Sequence, residues 1–235
     1  MPLTPNFQNY RALLERGRWF SLLPEARREQ LLEQALLQKL PAGATVFRRG
    51  DPNAGLYCVI DGAVRIGTIG AGSREALLSV LGPSQWFGEI AFLDGGARTH
   101  DADAKVALTL LLVPRAALER LLAEDPSWWR HLGQLLAEKV RALFASIEDM
   151  SMLPAPARVA RRLLAMARGH GMMAPGAEQR MVSLNQDQLG AMLSLSRQTV
   201  SEILRDFEAR GLVKRHYGAI ELLDRSTLEA EGESL

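Results

Sequence analysis

The sequence predicts an α+β protein in which an all-β unit is followed by a long helix and then by a helical unit that carries a β-hairpin. Three observations predict this order. Between residues 39 and 114, short apolar runs alternate with glycine-containing turns at intervals of about 8 to 12 residues, as in a barrel or sandwich. Residues 125–152 carry apolar positions at heptad spacing. In residues 183–213 the apolar positions follow the period of two short amphipathic helices.

The composition is that of a globular protein with buried cores. A length of 235 residues suits two domains, and 47% apolar with 23% charged residues is ordinary for a protein with buried cores. The one cysteine, Cys58, lies in an apolar run, which predicts a buried thiol and excludes an intrachain disulfide or an iron–sulfur cluster. We find neither a signal peptide nor an apolar run of about 18 residues. We therefore expect a cytoplasmic protein with no membrane-spanning segment.

The first half of the chain is predicted as a helical segment and then strands. Residues 10–37 have a helical pattern, with Pro24 at a position that suits a helix start. From Lys39 onward, turn sequences separate the strands. These turns are Pro-Ala-Gly43, Arg-Gly-Asp-Pro52, Asp-Gly62, Gly-Ala-Gly72, Leu-Gly-Pro83 and Asp-Gly-Gly96. Pro114 closes the all-β region, and a short helix is predicted for Arg115–Glu124.

The long helix predicted for residues 125–152 has an apolar seam. Its members, spaced 4, 3, 4 and 3 residues apart, are Leu136, Val140, Leu143, Ile147 and Met150. The seam is explained either by packing on the helix's own domain or by a homodimer. Pro154 and Pro156 follow as a predicted hinge, because proline interrupts helical hydrogen bonding.

Residues 183–213 predict two helices joined by a tight turn. Asn185 is a suitable N-cap, and Gln188 lies three residues later, where it can complete a capping box. Ser196 can cap the second helix, and Gly211 follows its end. One face of this second helix is apolar and comprises Val200, Ile203, Leu204 and Phe207.

The opposite face of the second helix carries side chains that suit the edges of DNA bases. Arginine pairs with guanine, glutamine pairs with adenine and glutamate accepts from cytosine. Residues 213–222 predict a hairpin around Tyr217-Gly218 with a basic first arm, like the wing of a winged helix-turn-helix. An ordinary helical hairpin with a solvated face is the alternative. The candidate DNA-binding residues are Ser196, Arg197, Gln198, Thr199, Ser201, Glu202, Arg205, Lys214 and Arg215.

Positive charge is concentrated in this part of the chain. Residues 155–225 contain 11 Lys and Arg against 7 Asp and Glu, a net charge of +4, whereas residues 1–154 contain 17 of each. Non-specific binding to DNA is therefore expected to depend on salt. A two-fold reader of double-stranded DNA needs a partner chain, which favours the homodimer as the explanation of the apolar seam.

The chain resembles the Crp/Fnr superfamily of bacterial transcription regulators over residues 14–222. In the first half the resemblance rests on Phe20-Ser21-x-Leu23, Gly43-x-x-Val46-Phe47-x-x-Gly50-Asp51, Leu56-Tyr57-x-Val59-x-x-Gly62-x-Val64-x-Ile66 and Phe87-Gly88-Glu89-Ile90. In the second half it rests on Ser196-Arg197-Gln198-Thr199-Val200-Ser201. The order and spacing of these segments together make the resemblance specific.

The resemblance implies three parts: a jelly-roll-like cyclic-nucleotide-binding β-roll over residues 10–124, a dimerisation helix over residues 125–153 and a winged helix-turn-helix over residues 154–225. It implies a homodimeric, sequence-specific regulator that binds a palindromic operator, contacts RNA polymerase and is not an enzyme. The implied control is a small anionic effector in the roll, such as cAMP or cGMP, with no metal required.

The resemblance also implies an effector site at residues 88–100. The positions matching Gly88, Glu89, Arg98 and Thr99 in such domains let the backbone approach, accept from a ribose hydroxyl, pair with phosphate and offer a hydroxyl. A short helix there would also turn backbone N–H groups toward the phosphate. The full set of candidate effector residues is Gly88, Glu89, Ile90, Arg98, Thr99, His100, Leu143 and Phe144.

Three of these positions depart from the cAMP-binding pattern. His100 replaces a small residue, while Leu143 and Phe144 stand where cAMP-responsive members present adjacent hydroxyls to adenine. Apolar side chains can stack on a base but cannot hydrogen-bond its edge, and Ser146 is the nearest hydroxyl. Four possibilities therefore stay open: the effector is cAMP, cGMP or another nucleotide, or the protein binds no ligand.

The predicted recognition helix departs from the type member of the family as well. Gln198 stands in place of a glutamate, and Glu202 stands in place of a second arginine. Replacing a base-reading cation by a carboxylate changes the preferred base, so we predict a palindrome different from that of the type member.

Alternative functions stay open at this stage. Arg98 and Glu89 could form an ion pair in a vestigial pocket, which would make the protein a ligand-independent regulator. The carboxyl-terminal unit could dock protein in a nucleotide-binding regulatory subunit. An enzyme acting on a cyclic nucleotide is disfavoured because the sequence shows no metal-ligand cluster, nucleophile–base pair or P-loop. The four histidines are scattered, and we expect each to be structural or exposed.

Overall fold

The computed structural model describes residues 7–69 and 75–233, and the turn predicted at Gly-Ala-Gly72 lies outside them. The helices are α1 Gln8–Leu14, α2 Arg18–Leu22, α3 Glu25–Glu33, α4 Ile90–Leu93, α5 Arg115–Glu124, α6 Trp128–Met152, α7 Ala155–Ala167, α8 Gln186–Leu193, α9 Arg197–Ala209 and α10 Arg225–Glu233. The strands are β1 Leu36–Leu40, β2 Thr45–Phe47, β3 Gly55–Asp61, β4 Val64–Ile69, β5 Glu75–Leu81, β6 Trp86–Phe87, β7 Asp101–Ala104, β8 Leu108–Pro114, β9 Met181–Val182, β10 Val213–His216 and β11 Ala219–Leu222. In the described part, no helix is long and apolar enough to cross a membrane.

The amino-terminal helical prediction needs a correction at its end. Residues 10–37 do not form a continuous helical region, because α1, α2 and α3 are short and the chain has become a strand by Leu36. Leu36 and Leu37 pair with Leu112 and Leu111 of β8. Pairing with a strand far along the chain therefore overrides the local helical pattern.

The β-roll, residues 36–114, consists of two four-stranded antiparallel sheets in the orders β1-β8-β3-β6 and β2-β7-β4-β5. Its strand β3 is buried on both faces. Tyr57 and Val59 belong to the core inside the roll, whereas Leu56, Cys58 and Ile60 pack in the core formed with the surrounding helices. This double burial explains the unbroken apolar run in the sequence, and burial raises the pKa of the Cys58 thiol well above its usual value.

The long helix α6 is buried against the roll only in its first part. Trp128, Leu132 and Leu135 near its start are buried against the roll and its amino-terminal helices. The second half is far more exposed, including four positions from the predicted seam and its surroundings, namely Leu143, Phe144, Ile147 and Met150. The helix ends at Met152, and Pro156 lies within the first turn of α7, where a missing N–H breaks no helical bond. The interruption predicted at both prolines therefore lies at Leu153–Pro154 only.

The helix–wing unit, residues 155–233, has its own apolar core. Three predicted features are confirmed: the helix pair α8 and α9, the hairpin of β10 and β11, and the end of α9 shortly before Gly211. Strand β9 adds to the hairpin to give a three-stranded sheet. Helix α10 packs on α7 through Leu228 and a hydrogen bond from Arg161 to the carbonyl of Gly232, so this core extends past residue 225.

The helix–wing unit is docked on the β-roll. Leu77 and Val80 of β5 belong to the apolar core of the helix–wing unit. The Nζ of Lys105 in the roll donates to the side-chain oxygen of Gln188 in α8 at 3.0 Å and to the carbonyl of Ser183 at 3.2 Å. The docking brings side chains from both units to a shared cavity.

Candidate functional site

A cavity of about 390 Å³ lies where the β-roll, α6 and the helix–wing unit meet. The roll contributes residues of β5 and of the segments 87–91 and 98–100, and α6 contributes side chains between Lys139 and Met150. The helix–wing unit contributes four side chains, which are Arg162, His170, Met172 and Met192. The volume lies in the range of pockets that hold one small molecule.

Arg98 is the buried cation of this cavity. It is 4% exposed, and its Nη1 and Nη2 atoms donate to the carbonyls of Gly88 and Gly55 at 2.8 and 2.9 Å. The guanidinium carbon also lies 4.3 Å from the ring centre of Phe47. Burial lowers the pKa of Arg98, yet arginine keeps its proton in proteins. The charge is therefore held rigidly at the cavity wall.

Arg98 has no carboxylate at ion-pair distance within the part of the chain that the structure describes. Its Nε is buried there without a hydrogen-bond partner. Glu89, which is 1% exposed, pairs instead with the Nζ of Lys139 at 2.6 Å. The pairing of Arg98 with Glu89 that would mark a vestigial pocket is therefore not what the structure shows. A buried cation without a paired anion destabilises a fold, so this arrangement suits an anionic ligand.

Position 88 must be a glycine because Arg98 lies close to the backbone there. Its φ of +97° is one that side-chain-bearing residues rarely adopt. A Cβ at this position would lie 2.8 Å from Nη1 of Arg98 and 3.0 Å from the carbonyl oxygen of Gly55. The glycine therefore lets its own carbonyl hold the guanidinium.

The other predicted residues of the segment line the same cavity. Thr99 is exposed, and its Oγ1 lies 2.9 Å from Nδ1 of His100. Burial and the nearby charge of Arg49 lower the pKa of His100. Ile90 is 38% exposed and begins the single-turn helix α4. The structure thus brings together the predicted positions from Gly88 to His100.

The two predicted positions on α6 separate from each other. Leu143 lines the cavity, whereas Phe144 does not and is 60% exposed. Consecutive helical side chains point about 100° apart, so the two cannot face one cavity within a single chain. The expectation that the pair flanks a bound base is corrected to Leu143 alone in this protomer.

Polar side chains from β5, α6, α7 and the turn after α7 meet in another part of the cavity wall, and we call Ser79, Ser146, Arg162 and His170 the Arg162 cluster. Nη2 of Arg162 donates to Oγ of Ser146 at 2.5 Å, and Nε2 of His170 lies 3.1 Å from Oγ of Ser79. Burial and the charge of Arg162 lower the pKa of His170 to about 4. His170, which we expected to be merely structural or exposed, thus lies in the cavity wall as a neutral imidazole at pH 7.

The helix pair α8–α9 is built as the sequence predicted. Asn185 and Gln188 form the complete capping box of α8. Oγ of Ser196 accepts from the backbone N–H of Thr199 at 3.0 Å and caps α9. A Cβ on Gly190 would lie 2.7 Å from the carbonyl oxygen of Leu195, so this glycine allows the turn between the two helices to pack closely on α8. The local geometry therefore presents the polar face of α9 outward.

The polar face of α9 is exposed and loosely held. The side chain of Arg197 is 73% exposed and lies 3.6 Å from a carboxylate oxygen of Asp187. Nε2 of Gln198 donates to Glu202 at 3.0 Å, and Arg205 is exposed. Ser201 is half-buried. The charged and amide groups of this face are thus free to exchange their present contacts for others.

The two predicted cations of the wing differ. Lys214 is exposed. Arg215 is held by Glu208, whose two carboxylate oxygens accept from its backbone N–H at 2.9 Å and from its Nε at 2.7 Å. Arg215 is therefore engaged within its own unit, and Lys214 is the freer of the two.

Several residues of the site were missed from the sequence. Lys139 stands one helical turn before Leu143, so helical periodicity could have placed it in the cavity. Arg162 and His170 carry no such signal, because they meet Ser146 and Ser79 only through the packing of the helix–wing unit on α6 and the roll. Within the described residues, no group of His, Cys, Asp and Glu is placed to hold a metal ion.

Comparisons with known proteins agree with this organisation. A model of the cyclic nucleotide-binding domain matches residues 37–125, and a model of the Crp-like helix-turn-helix domain matches residues 157–231. The chain is 33% identical to a CRP-like cAMP-activated global transcriptional regulator of Mycobacterium tuberculosis, over 80% of this chain and 84% of that protein. It is 32% identical to the cyclic AMP receptor protein of Thermus thermophilus with the same coverage.

A solved structure supports the fold. FixK2 from Bradyrhizobium japonicum superposes with a TM-score of 0.73 at 24% identity, covering 86% of this chain and 98% of that chain. At this level of identity the likeness concerns the arrangement of the chain alone. The β-roll, the long helix and the helix–wing unit therefore occur together in known proteins.

Proposed function

The chain belongs to the Crp/Fnr superfamily of transcription regulators, and from this premise we propose that it is a homodimer controlled by a cyclic mononucleotide bound in the β-roll cavity. The protein is a sequence-specific DNA-binding regulator under effector control and is not an enzyme.

The observation that carries the effector proposal is the buried guanidinium of Arg98. It faces a cavity and lacks a carboxylate partner within the described residues, while the nearby carboxylate of Glu89 is engaged by Lys139. A cyclic phosphate would supply the missing anion through charge-assisted hydrogen bonds. Two relatives named for cAMP, from Mycobacterium tuberculosis and Thermus thermophilus, support a cyclic nucleotide as this anion.

We assign the roles in the cavity as follows. Arg98 and the hydroxyl of Thr99 bind the phosphate, and Gly88 keeps Arg98 in position. Glu89 accepts from the ribose hydroxyl while it keeps its ion pair with Lys139, since a carboxylate can accept several hydrogen bonds. The apolar residues Ile90 and Leu143 pack on the nucleotide, and His100 borders the phosphate beside Thr99.

The DNA-binding half of the proposal rests on the exposed face of α9. Base edges are read by Arg197, Gln198, Glu202 and Arg205, and phosphates are bound by Lys214 together with the polar residues at the start of the helix. Those starting residues are Ser196, Thr199 and Ser201. Arg215 supports the wing through Glu208 and makes at most a secondary phosphate contact.

The homodimer is supported by the exposed apolar stripe on α6. Leu143, Phe144, Ile147 and Met150 are 41% to 60% exposed in the single chain. Packing this stripe against the same stripe of a second copy would bury it, as in a parallel pair of helices. Two recognition helices about one DNA turn apart, roughly 34–36 Å, would then read a palindromic operator. Contact with RNA polymerase follows from the family as a further part of the proposal.

Control of DNA binding depends on an effector that contacts both units. The cavity wall includes residues of the roll, of α6 and of the helix–wing unit, and the chain between α6 and α7 is interrupted at Pro154. A ligand shifts the arrangement of the units only by its differential affinity for the two arrangements. If the spacing of the two α9 helices were the same with and without ligand, this mechanism would be wrong.

Calorimetric titration of the purified protein with cAMP and separately with cGMP tests the effector. We expect binding at about 10 μM or tighter for at least one of them, which corresponds to roughly −7 kcal/mol. Arg98→Ala should abolish it, and Arg48→Ala, an exposed cation on the roll, serves as the matched control. Binding that survives Arg98→Ala, or no binding of either nucleotide, contradicts the proposal.

Selection of bound sequences from random double-stranded DNA tests the other half. We expect a palindrome with half-sites about one turn apart, bound by a species of twice the chain mass in sedimentation. Phe144→Glu, which places a charge on the apolar stripe, should shift the protein to monomers and weaken operator binding. A monomer that binds a single half-site as tightly as the wild type binds the palindrome would contradict the dimer.

A further inference from the structure

The part of the cavity wall formed by the Arg162 cluster can select among bases. We infer that Arg162 of the helix–wing unit contacts the base of the bound nucleotide and favours guanine over adenine. This inference rests on the proposed function, because it concerns the ligand of the same cavity. It goes further by naming the base and a specificity-determining residue that lies outside the β-roll.

Arg162 and Arg98 occupy separate parts of the cavity wall. Arg98 contacts the carbonyls of Gly88 and Gly55 and the rings of Phe47 and Tyr57. Arg162 contacts Ser146 on α6 and neighbours His170, and it shares none of those partners. A ligand whose phosphate is held by Arg98 can therefore direct another part of itself to Arg162.

The present partner of Arg162 leaves it able to bind a ligand. Its Nη2 donates to the hydroxyl of Ser146, while the nearby carboxylate, Asp149, is engaged by Arg161 at 2.7 Å. A guanidinium carries five N–H donors, so one bond to a hydroxyl leaves most of them for other acceptors. Burial lowers the pKa of Arg162, and an acceptor-rich ligand edge would compensate for the lost hydration.

Acceptors for a base amino group are scarce in the cavity wall. Among the described lining residues there is no Asn, Gln or Asp, and the carboxylate of Glu89 already accepts from Lys139. The remaining polar groups of the Arg162 cluster are two hydroxyls and a histidine that is neutral at pH 7 because its pKa is lowered to about 4. The strongest polar group available to a base is therefore a pure donor.

Guanine and adenine differ in what they offer to such a donor. Guanine presents two adjacent acceptors, O6 and N7, which match two N–H groups of one arginine. Adenine presents N7 beside an amino group, so one N–H of the arginine would face another donor. The resulting discrimination is roughly 10- to 100-fold in affinity.

The base preference can be measured with the full-length protein by calorimetry with cGMP and with cAMP. We expect the wild type to bind cGMP roughly 10- to 100-fold more tightly than cAMP. Arg162→Gln should bring the ratio to one or below, because glutamine pairs with N6 and N7 of adenine. Arg162→Lys should also lower the ratio, since it keeps the charge without the paired donors.

Arg168→Gln is the matched control, because Arg168 directly follows α7, is exposed, pairs with Glu178 and does not line the cavity. It should leave the ratio unchanged, and thermal unfolding of each variant reports whether the fold persists. A wild type that binds cAMP as tightly as cGMP, or a cGMP preference that survives Arg162→Gln in a folded protein, overturns the inference.

Failure of the inference is distinguishable from failure of the proposed function. If both nucleotides bind through Arg98 but their ratio ignores Arg162, the inference alone fails. If neither nucleotide binds to the wild type, the assignment of a cyclic nucleotide fails, and the inference falls with it.

Discussion

The two cationic surfaces of this protein hold their arginines in opposite ways. Arg98 is 4% exposed and fixed by two backbone carbonyls and an aromatic ring. Arg197 is 73% exposed in its side chain and has a single carboxylate oxygen at 3.6 Å. The cavity is therefore arranged before its ligand arrives, whereas the proposed DNA-reading face of α9 would be ordered by the DNA.

The two surfaces obtain their specificity in different ways. A desolvated guanidinium in fixed geometry binds only an anion of the right size. Without that anion, the buried charge destabilises the fold. An exposed face loses little hydration until DNA arrives, so its specificity depends on base contacts and its affinity depends on salt. Mutations in the cavity should therefore change both stability and ligand affinity, whereas mutations on α9 should change DNA binding alone.

The largest effect should follow from Gly88→Ala. The new Cβ would clash with Nη1 of Arg98 at a φ of +97°, so the guanidinium must move. We expect the free energy of unfolding to fall by about 3 kcal/mol and nucleotide affinity to fall at least about tenfold. Gly95→Ala is the control, because its φ is +69° and nothing lies within 4 Å of its Cβ. Equal effects of the two substitutions would show that backbone strain alone is responsible.

Arg197→Ala tests the role of the exposed polar face of α9. It should reduce binding to the selected operator by roughly 1–3 kcal/mol and relax the preference at one base pair. Stability should hardly change, because the side chain is 73% exposed. Gel-shift assays against operators varied at each position measure both effects. An equal loss on every sequence would instead make Arg197 a phosphate contact.

Burial of His170 makes the stability of the fold depend on pH. Burial lowers its pKa from 6.5 to about 4, so the unfolded chain binds more protons between these values. Its contribution to stability is complete above about pH 6.5 and is lost as the pH falls toward 4. Between pH 7.5 and 5.5 we expect the wild type to lose about 1 kcal/mol more than His170→Asn in urea unfolding. His131→Asn, at a half-buried position of α6 outside the cavity, is the control and should lose as much stability as the wild type does.

The smallest effect should follow from Lys214→Ala in the wing. Losing one phosphate contact should lower affinity a few-fold on all sequences alike and reduce the slope of log affinity against log salt by about 1. Arg215→Ala is the comparison, because Arg215 is held by Glu208 and should lower stability more than it changes the salt slope. A change of slope confined to Arg215→Ala would reverse the two assignments.

Much of the fold could be predicted because it depends on signals between near neighbours. The capping box of Asn185 and Gln188 and the cap at Ser196 are patterns three residues long. The hairpin around Tyr217-Gly218 depends equally on local residues. Gly88 and Arg98 were identified through the family resemblance. They are in direct contact and lie only ten residues apart in the chain.

The errors of prediction have two causes, which are pairing with a distant strand and the direction in which a side chain leaves its own element. Leu36 and Leu37 continue a helical pattern, but pairing with β8 makes them a strand. Phe144 was paired with Leu143 by sequence alone, while the rotation of the helix separates them. Arg215 was expected to be free for DNA, and its position beside α9 brings it to Glu208.

The order of the units and the helix pair with its caps follow from sequence signals alone, because periodicity and caps act over a few residues, and the family resemblance identified Arg98. The ion pair of Lys139 with Glu89 and the places of Arg162 and His170 in the cavity wall follow from the packing of the units. Those contacts join residues 16 to 91 positions apart, and they exist because α6 packs on the roll and the helix–wing unit packs against both.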